Sequence, residues 1–297
     1  MGGSQSSEMG PANFVKEGGF FPFGWWGMWV AIFISLFSFL GTELIAVTAG
    51  EAKNPDVAVP KALKATVFRL STFYVLTIGI MLMIVPWQSA GVDKSPFVKV
   101  MEILNIPAAP AGVINFIVLT AALSAMNSQL YSSTRMMYSL SRGTFAPAFL
   151  GKVSKNGVPA NALMLSTMGI LLAAAVTALT PDTSYAFLMG ISMFGAIFTW
   201  FMVFVSHLFF RKKWEETGGR KLPVRMAGYP FMTILGAALL FALVVSTWFT
   251  NFKIVLQFGI PWLIFLTIAY FLWKKGQENR QRTDFDDSST AKQTKID

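Results

Sequence analysis

One carboxylate sits where a carboxylate is expensive. Glu43 lies inside the apolar stretch AIFISLFSFLGTELIAVTAGEAKNP, which begins at Ala31. An ionised group at that depth of a bilayer costs roughly a few kcal/mol, and by default it marks a functional site. Ser38, Gly41 and Thr42 stand just before it. Small and polar residues there let a helix unwind, and the freed carbonyls and amides can then bind a ligand. Phe37 and Phe39 flank that point and could cover a substrate. The plainer alternative is that Glu43 bonds to a neighbouring helix, with Gly41 and the two Phe residues as packing contacts.

A second constellation is LSAMNSQLYSSTRMMY. Ser124, Asn127, Ser128, Tyr131, Ser132 and Arg135 recur at three- and four-residue intervals, which is one face of a helix. Leu123, Met126 and Leu130 lie on the opposite face. A polar stripe on an apolar helix faces a water-filled cavity or other polar helices. The alternative is a Ser-rich packing face. Arg135 reads as an anchor at the helix end.

Little else could do chemistry. The chain has no Cys and a single His, His207, with no carboxylate or Cys near it in sequence. That His reads as structural rather than as a proton relay. There is no Gly-rich phosphate loop, no HExxH and no GxSxG. No catalytic residue, metal site or cofactor is expected, and the chain does not read as an enzyme.

The elements that position these residues are membrane spans. Hydrophobic residues make up 54% of the 297 and charged residues only 13%, about half the charged share of soluble domains. The net charge is +9, but the charges sit between the apolar runs, so a membrane is the partner rather than nucleic acid. About 20 apolar residues cross a bilayer core. Seven stretches qualify: Trp26–Gly50, Phe68–Trp87, Ala109–Thr134, Ala160–Leu179, Tyr185–Phe210, Phe231–Thr250 and Ile254–Trp273. The expected class is an all-α membrane protein. An extracellular head covers 1–25, a transmembrane domain 26–273, and a charged, Ser/Thr-rich, disordered cytoplasmic tail 274–297. Between the spans, Asn54-Pro55 and Val59-Pro60 read as turns, and SPFVKVMEIL as a short interfacial helix.

Twenty of the 24 Lys and Arg residues fall on alternate sides of the spans together with the tail. Lys16, Lys94, Lys99 and Lys253 fall on the other. The positive-inside rule then puts the tail in the cytoplasm and the N-terminus outside, as a multi-pass protein of the cell membrane. The first 25 residues do not form a signal peptide. An outside N-terminus without one suggests that helices once preceded Met1.

Longer motifs carry a resemblance. FSFLGTELIAVTAGEAKNPDVAVPKAL followed by FRLSTFYVLTIGIMLMIVPW resembles the bacterial amino acid permeases of the amino acid–polyamine–organocation superfamily. NSQLYSSTRMMYSLSRGTFAPAFLGKVSKNGVP, HLFFRKKW and the opening NFVKEGGFFPFGWWG are also similar to that family. The resemblance implies twelve helices in two inverted five-helix repeats plus a final pair, a LeuT-like fold. This chain would be helices six to twelve, the second repeat and the last pair. It further implies an amino acid as substrate, a proton as coupling ion and alternating access. Carried over by position, Phe37 and Ser38 match the substrate-contacting segment, and Gly41 and Thr42 the break. Glu43 matches the acidic residue just after it. Ser124, Asn127, Ser128 and Tyr131 match the helix that lines the cavity against a first-repeat helix absent here. Lys53, Asn54 and Pro55 match a structural exit motif.

Three functions follow as expectations. The first is a proton-coupled amino acid permease present as its C-terminal portion and inactive alone. The second is a half-transporter that assembles with a separately encoded N-terminal half, or a non-transporting membrane remnant. The third, a seven-span receptor or retinal protein, lacks the lysine that its last span would need.

Overall fold

The structure, a computed structural model, describes residues 10–293 apart from 16, 17, 20, 90–94, 107, 219–221, 223 and 251. Much of the expected head, the tail residues 294–297, and Lys16, Lys94, Arg220, Lys221 and Lys295 from the orientation argument lie outside the described residues.

The described residues form nine α-helices: α1 Gly24–Phe37, α2 Leu44–Val47, α3 Pro55–Ile84, α4 Pro96–Ile103, α5 Ala108–Arg142, α6 Ala160–Leu179, α7 Pro181–Glu216, α8 Phe231–Ser246 and α9 Ile254–Gln293. Six stretches among them are long and apolar enough to span a membrane: Pro55–Ile84, Gly112–Arg142, Ala160–Leu179, Pro181–Glu216, Phe231–Phe249 and Ile254–Gly276. Their apolar side chains point largely outward, as Phe116, Leu172 and Phe271 do. That arrangement suits a solvent as apolar as the side chains themselves.

The expected first span, Trp26–Gly50, is not one helix. α1 stops at Phe37 after 14 residues, and the chain turns through Ser38–Glu43 before the four-residue α2. The cause is local. Gly41 adopts φ +98°, a left-handed conformation that L side chains rarely take. Other helices outrun their apolar runs. α3 starts at Pro55 rather than at Phe68, with Pro55 at its first position, where the missing N–H is no loss. Pro60 lies one turn further in and forfeits one hydrogen bond. The helix formers Lys61, Ala62, Leu63, Lys64 and Ala65 then carry the segment into the span. α5 continues past Thr134 to Arg142, and Gly143 follows it. The short helix expected in SPFVKVMEIL is α4. α9 is drawn as helix to Gln293, through most of the segment where disorder was expected.

The chain divides into two units. The first comprises residues 1–132 with 220–225. Within it, α2 and α4 pack on α3. The segment Pro11–Phe14 also packs there: the Gly10 N–H and the Asn13 Nδ2 both donate to the Met83 carbonyl, at 2.9 and 3.0 Å.

The second unit comprises residues 133–219 with 226–297. Its centre is α7, against which α6, α8 and α9 pack. Met193, Phe194 and Ile197 of α7 are buried with Leu240 and Leu243 of α8 and Val255 of α9. Gly259 of α9 sits directly on the Phe194 ring, so that any Cβ there would overlap it. Small residues at such crossings let membrane helices approach closely. On α5, Ser133 donates to Ser166 of α6 at 3.1 Å, with Thr134 at 3.4 Å from the same hydroxyl.

Candidate functional site

The break between α1 and α2 holds four of the five residues expected at a binding segment, and the fifth, Phe37, is the last residue of α1. Through it the backbone uses tight three-residue bonds. Phe39 N–H donates to the Leu36 carbonyl at 3.0 Å, Leu40 to Phe37 at 3.2 Å and Thr42 to Phe39 at 3.3 Å. Leu44 N–H donates to Gly41 at 3.2 Å. The Gly41 N–H has a different partner. It donates to the Glu43 carboxylate, 3.2 Å from Oε1 and 3.1 Å from Oε2. Glu43 thus folds back two residues and caps the turn with its own charge. A carboxylate can accept several more hydrogen bonds than this one.

Two residues outside the expected set lie at the break. Tyr74 of α3 donates its hydroxyl to the Ser38 carbonyl at 2.6 Å. Its ring meets Phe39 edge-on, with centroids 5.4 Å apart. Gln129 of α5 lies beside Gly41, its Nε2 3.7 Å from where a Cβ on that glycine would stand. Phe37 and Ser38 are exposed, whereas Gly41, Thr42 and Glu43 are half-buried. The break therefore presents a carboxylate, a glycine at positive φ, an amide side chain and an aromatic hydroxyl within the first unit.

The polar stripe of α5 is centred on another side of that helix from Gln129. Gln129 lies about 150° around the helix from the centre of the Ser124, Asn127, Ser128 and Tyr131 face, at about 100° per residue. Ser124 and Asn127 are exposed. Ser128 bonds back to the Ser124 carbonyl at 3.0 Å, a local bond that needs no ligand.

A signal existed for Tyr74. A phenol inside an apolar run needs a partner for its hydroxyl. Gln129 falls inside the same polar sequence as the stripe but off its spacing.

His207 lies in the second unit. Its Nδ1 is 3.2 Å from the fully buried Thr233 hydroxyl, and its ring meets Tyr229 edge-on. Those contacts fasten α7 to α8, which accounts for the residue structurally. Among the described residues, no group of three or more His, Cys, Asp or Glu could hold a metal ion.

Six helices long and apolar enough to span a membrane, with a broken seventh apolar stretch that carries Glu43, define a multi-pass helical membrane protein. The chain belongs to the amino acid permease family, whose profile matches residues 1–282. It is 40% identical over 246 residues to the gamma-aminobutyric acid permease of Bacillus subtilis, covering 83% of this chain and 52% of that protein. It is 36% identical over 274 residues to the amino-acid permease RocC of Bacillus subtilis, covering 91% and 58%. It is 32% identical over 265 residues to the aromatic amino acid transport protein AroP of Salmonella typhimurium, covering 89% and 57%. The chain spans somewhat over half the length of these relatives. No solved structure matches it. The family is one of transporters, not enzymes.

Proposed function

We propose that this chain is the C-terminal portion of a proton-coupled amino acid permease, with the binding segment at Phe37, Ser38, Gly41, Thr42 and Glu43. The observation that carries this reading is the α1–α2 break itself, with Glu43 closing on the Gly41 amide inside an apolar stretch. A helix broken at mid-span offers backbone groups to a zwitterion, and a carboxylate beside them can sense or exchange a proton. The relatives' names support an amino acid as substrate. Their spread, from gamma-aminobutyric acid to aromatic amino acids, leaves the particular one open.

The stripe Ser124, Asn127, Ser128 and Tyr131 faces a partner element rather than the break. In this reading the element is an N-terminal five-helix half, carried on the same polypeptide or on a separate one. The N-terminus of this chain lies outside the cell and its C-terminus in the cytoplasm. The chain has no Cys, so single cysteines at Ser95, Ser154 and Lys253, all between spans, report orientation against a clean background. Ser154 labels from the cytoplasmic side only, the other two from outside.

Purified chain in proteoliposomes is expected to take up no amino acid, and co-expression with a five-helix N-terminal half from a relative is expected to restore proton-dependent uptake. Saturable uptake by the chain alone would sink the half-site reading. Failure of every co-expressed half, with assembly demonstrated, would leave a non-transporting remnant.

A further inference from the structure

The end of α7 carries a groove lined by none of the residues of the candidate binding segment. It has a volume of about 380 Å³ and is lined, among the described residues, by Phe210, Lys213, Trp214 and Thr217. These positions fall three, four and seven residues from Phe210, so they share one helix face. The Phe210 and Trp214 rings lie 5.5 Å apart and tilted, and they form an apolar wall. The groove lies where the apolar span gives way to the run Arg211-Lys212-Lys213. Trp favours this boundary depth because its ring is amphipathic.

The charges on this turn are divided. Arg211 is occupied on its own face: its Nη2 and Nε donate to Glu215 Oε1 at 2.8 and 3.2 Å, and its guanidinium stacks over the Tyr229 ring at 4.7 Å. Lys213 has no ion pair among the described residues and is exposed at the groove's rim. Thr217 donates its hydroxyl to the Lys213 carbonyl at 2.6 Å, which fixes the last turn beneath that side chain. The result is an apolar wall next to a cation that makes no ion pair among the described residues, with Glu216 the neighbouring acid three residues on, at the depth where a lipid's acyl chain meets its headgroup.

We propose that this groove binds an anionic phospholipid, its phosphate on Lys213 and the upper part of an acyl chain against Phe210 and Trp214. A zwitterionic lipid offers the same chain without the net charge, and a soluble phosphate offers the charge without the chain. The inference rests on the membrane span alone and stands whether or not the chain transports anything.

The test uses the full chain, reconstituted in nanodiscs of phosphatidylcholine with phosphatidylglycerol and then examined by native mass spectrometry for retained lipid. Phosphatidylglycerol is expected to be retained over phosphatidylcholine. Lys213→Gln should lower that retention about fivefold, the factor that one basic residue supplies near an anionic surface. Lys213→Arg should keep it, and so should Lys212→Gln on the neighbouring face. Trp214→Ala should lower retention of both lipids. Circular dichroism of each variant checks that its helices are intact. Equal retention of the two lipids overturns the proposal, as does wild-type retention by Lys213→Gln. Displacement by soluble glycerol phosphate, which has no acyl chain, would assign the cation to a free phosphate and overturn it too.

Discussion

The Tyr74 hydroxyl lies 2.6 Å from the Ser38 carbonyl, which joins the third helix to the first residue after α1. That carbonyl has left the regular helix pattern and needs a donor, because lipid supplies none. Tyr74→Phe removes the donor while keeping the ring beside Phe39. The expected cost is about 1 kcal/mol, within the range measured for hydrogen bonds between membrane helices. It should appear as a lower unfolding temperature in detergent and as faster amide hydrogen exchange at residues 39–44. Unchanged exchange there would mean that the break keeps its shape without Tyr74.

Glu43 caps the Gly41 amide, and the proposed function gives it a proton role as well; one substitution separates the two. Glu43→Gln keeps an oxygen that can accept the Gly41 N–H, and it removes the charge. The turn should survive, with unfolding close to wild type. In a permease assembled with an N-terminal half, proton-driven uptake should fall about tenfold or more, the equivalent of about 1.4 kcal/mol. Glu43→Leu removes both roles and should also destabilise the turn. If Glu43→Gln transports with an unaltered pH profile, the carboxylate is only a cap.

The break was legible in the sequence because its cause is local. Gly41, Thr42 and Glu43 interrupt an apolar run, and nothing remote is needed to see it. The span regions were legible for the same reason. What holds the break was not. Tyr74 stands 31 residues beyond Glu43, in a helix whose all-round apolarity hides which face turns inward. Gln129 lies within the sequence of the polar stripe, yet it points the other way, and only the geometry separates the two. The helix starts were misplaced where proline stands in the first turns. At Pro55 the residue that breaks a helix interior costs little, while Pro60 gives up one bond inside a helix that continues past it.

Gly41 tests whether the break is required or merely tolerated. A Cβ there would meet only Gln129 Nε2 at 3.7 Å and Leu44 Cδ1 at 3.8 Å, so space is not the obstacle. The obstacle is φ +98°. Gly41→Ala should cost about 1–2 kcal/mol through backbone strain alone. The chain can relieve that strain by straightening into a continuous helix from α1 to α2. Cysteine pairs labelled at Ile34 and Val47 would then move apart in distance measurements by electron resonance. An unchanged separation and an unchanged unfolding temperature would together show that the turn does not depend on glycine.

Gly259 poses the opposite problem. Its backbone is ordinary helix, and its constraint is the Phe194 ring, which lies directly on it. Phe194 is only 5% exposed and stacks on Phe198 with centroids 6.1 Å apart, so it has nowhere to retreat. Gly259→Ala should therefore push α9 off α7 and destabilise the second unit by about 1–3 kcal/mol, the usual cost of overpacking. Gly169 supplies the comparison. It also lies inside a membrane helix, and a Cβ there meets nothing within 4 Å. Gly169→Ala should be neutral or stabilising by up to about 1 kcal/mol, since alanine is the better helix former. Thermal unfolding of the two variants in the same detergent reads the difference directly. Equal unfolding temperatures would mean that α9 does not pack on Phe194 as described.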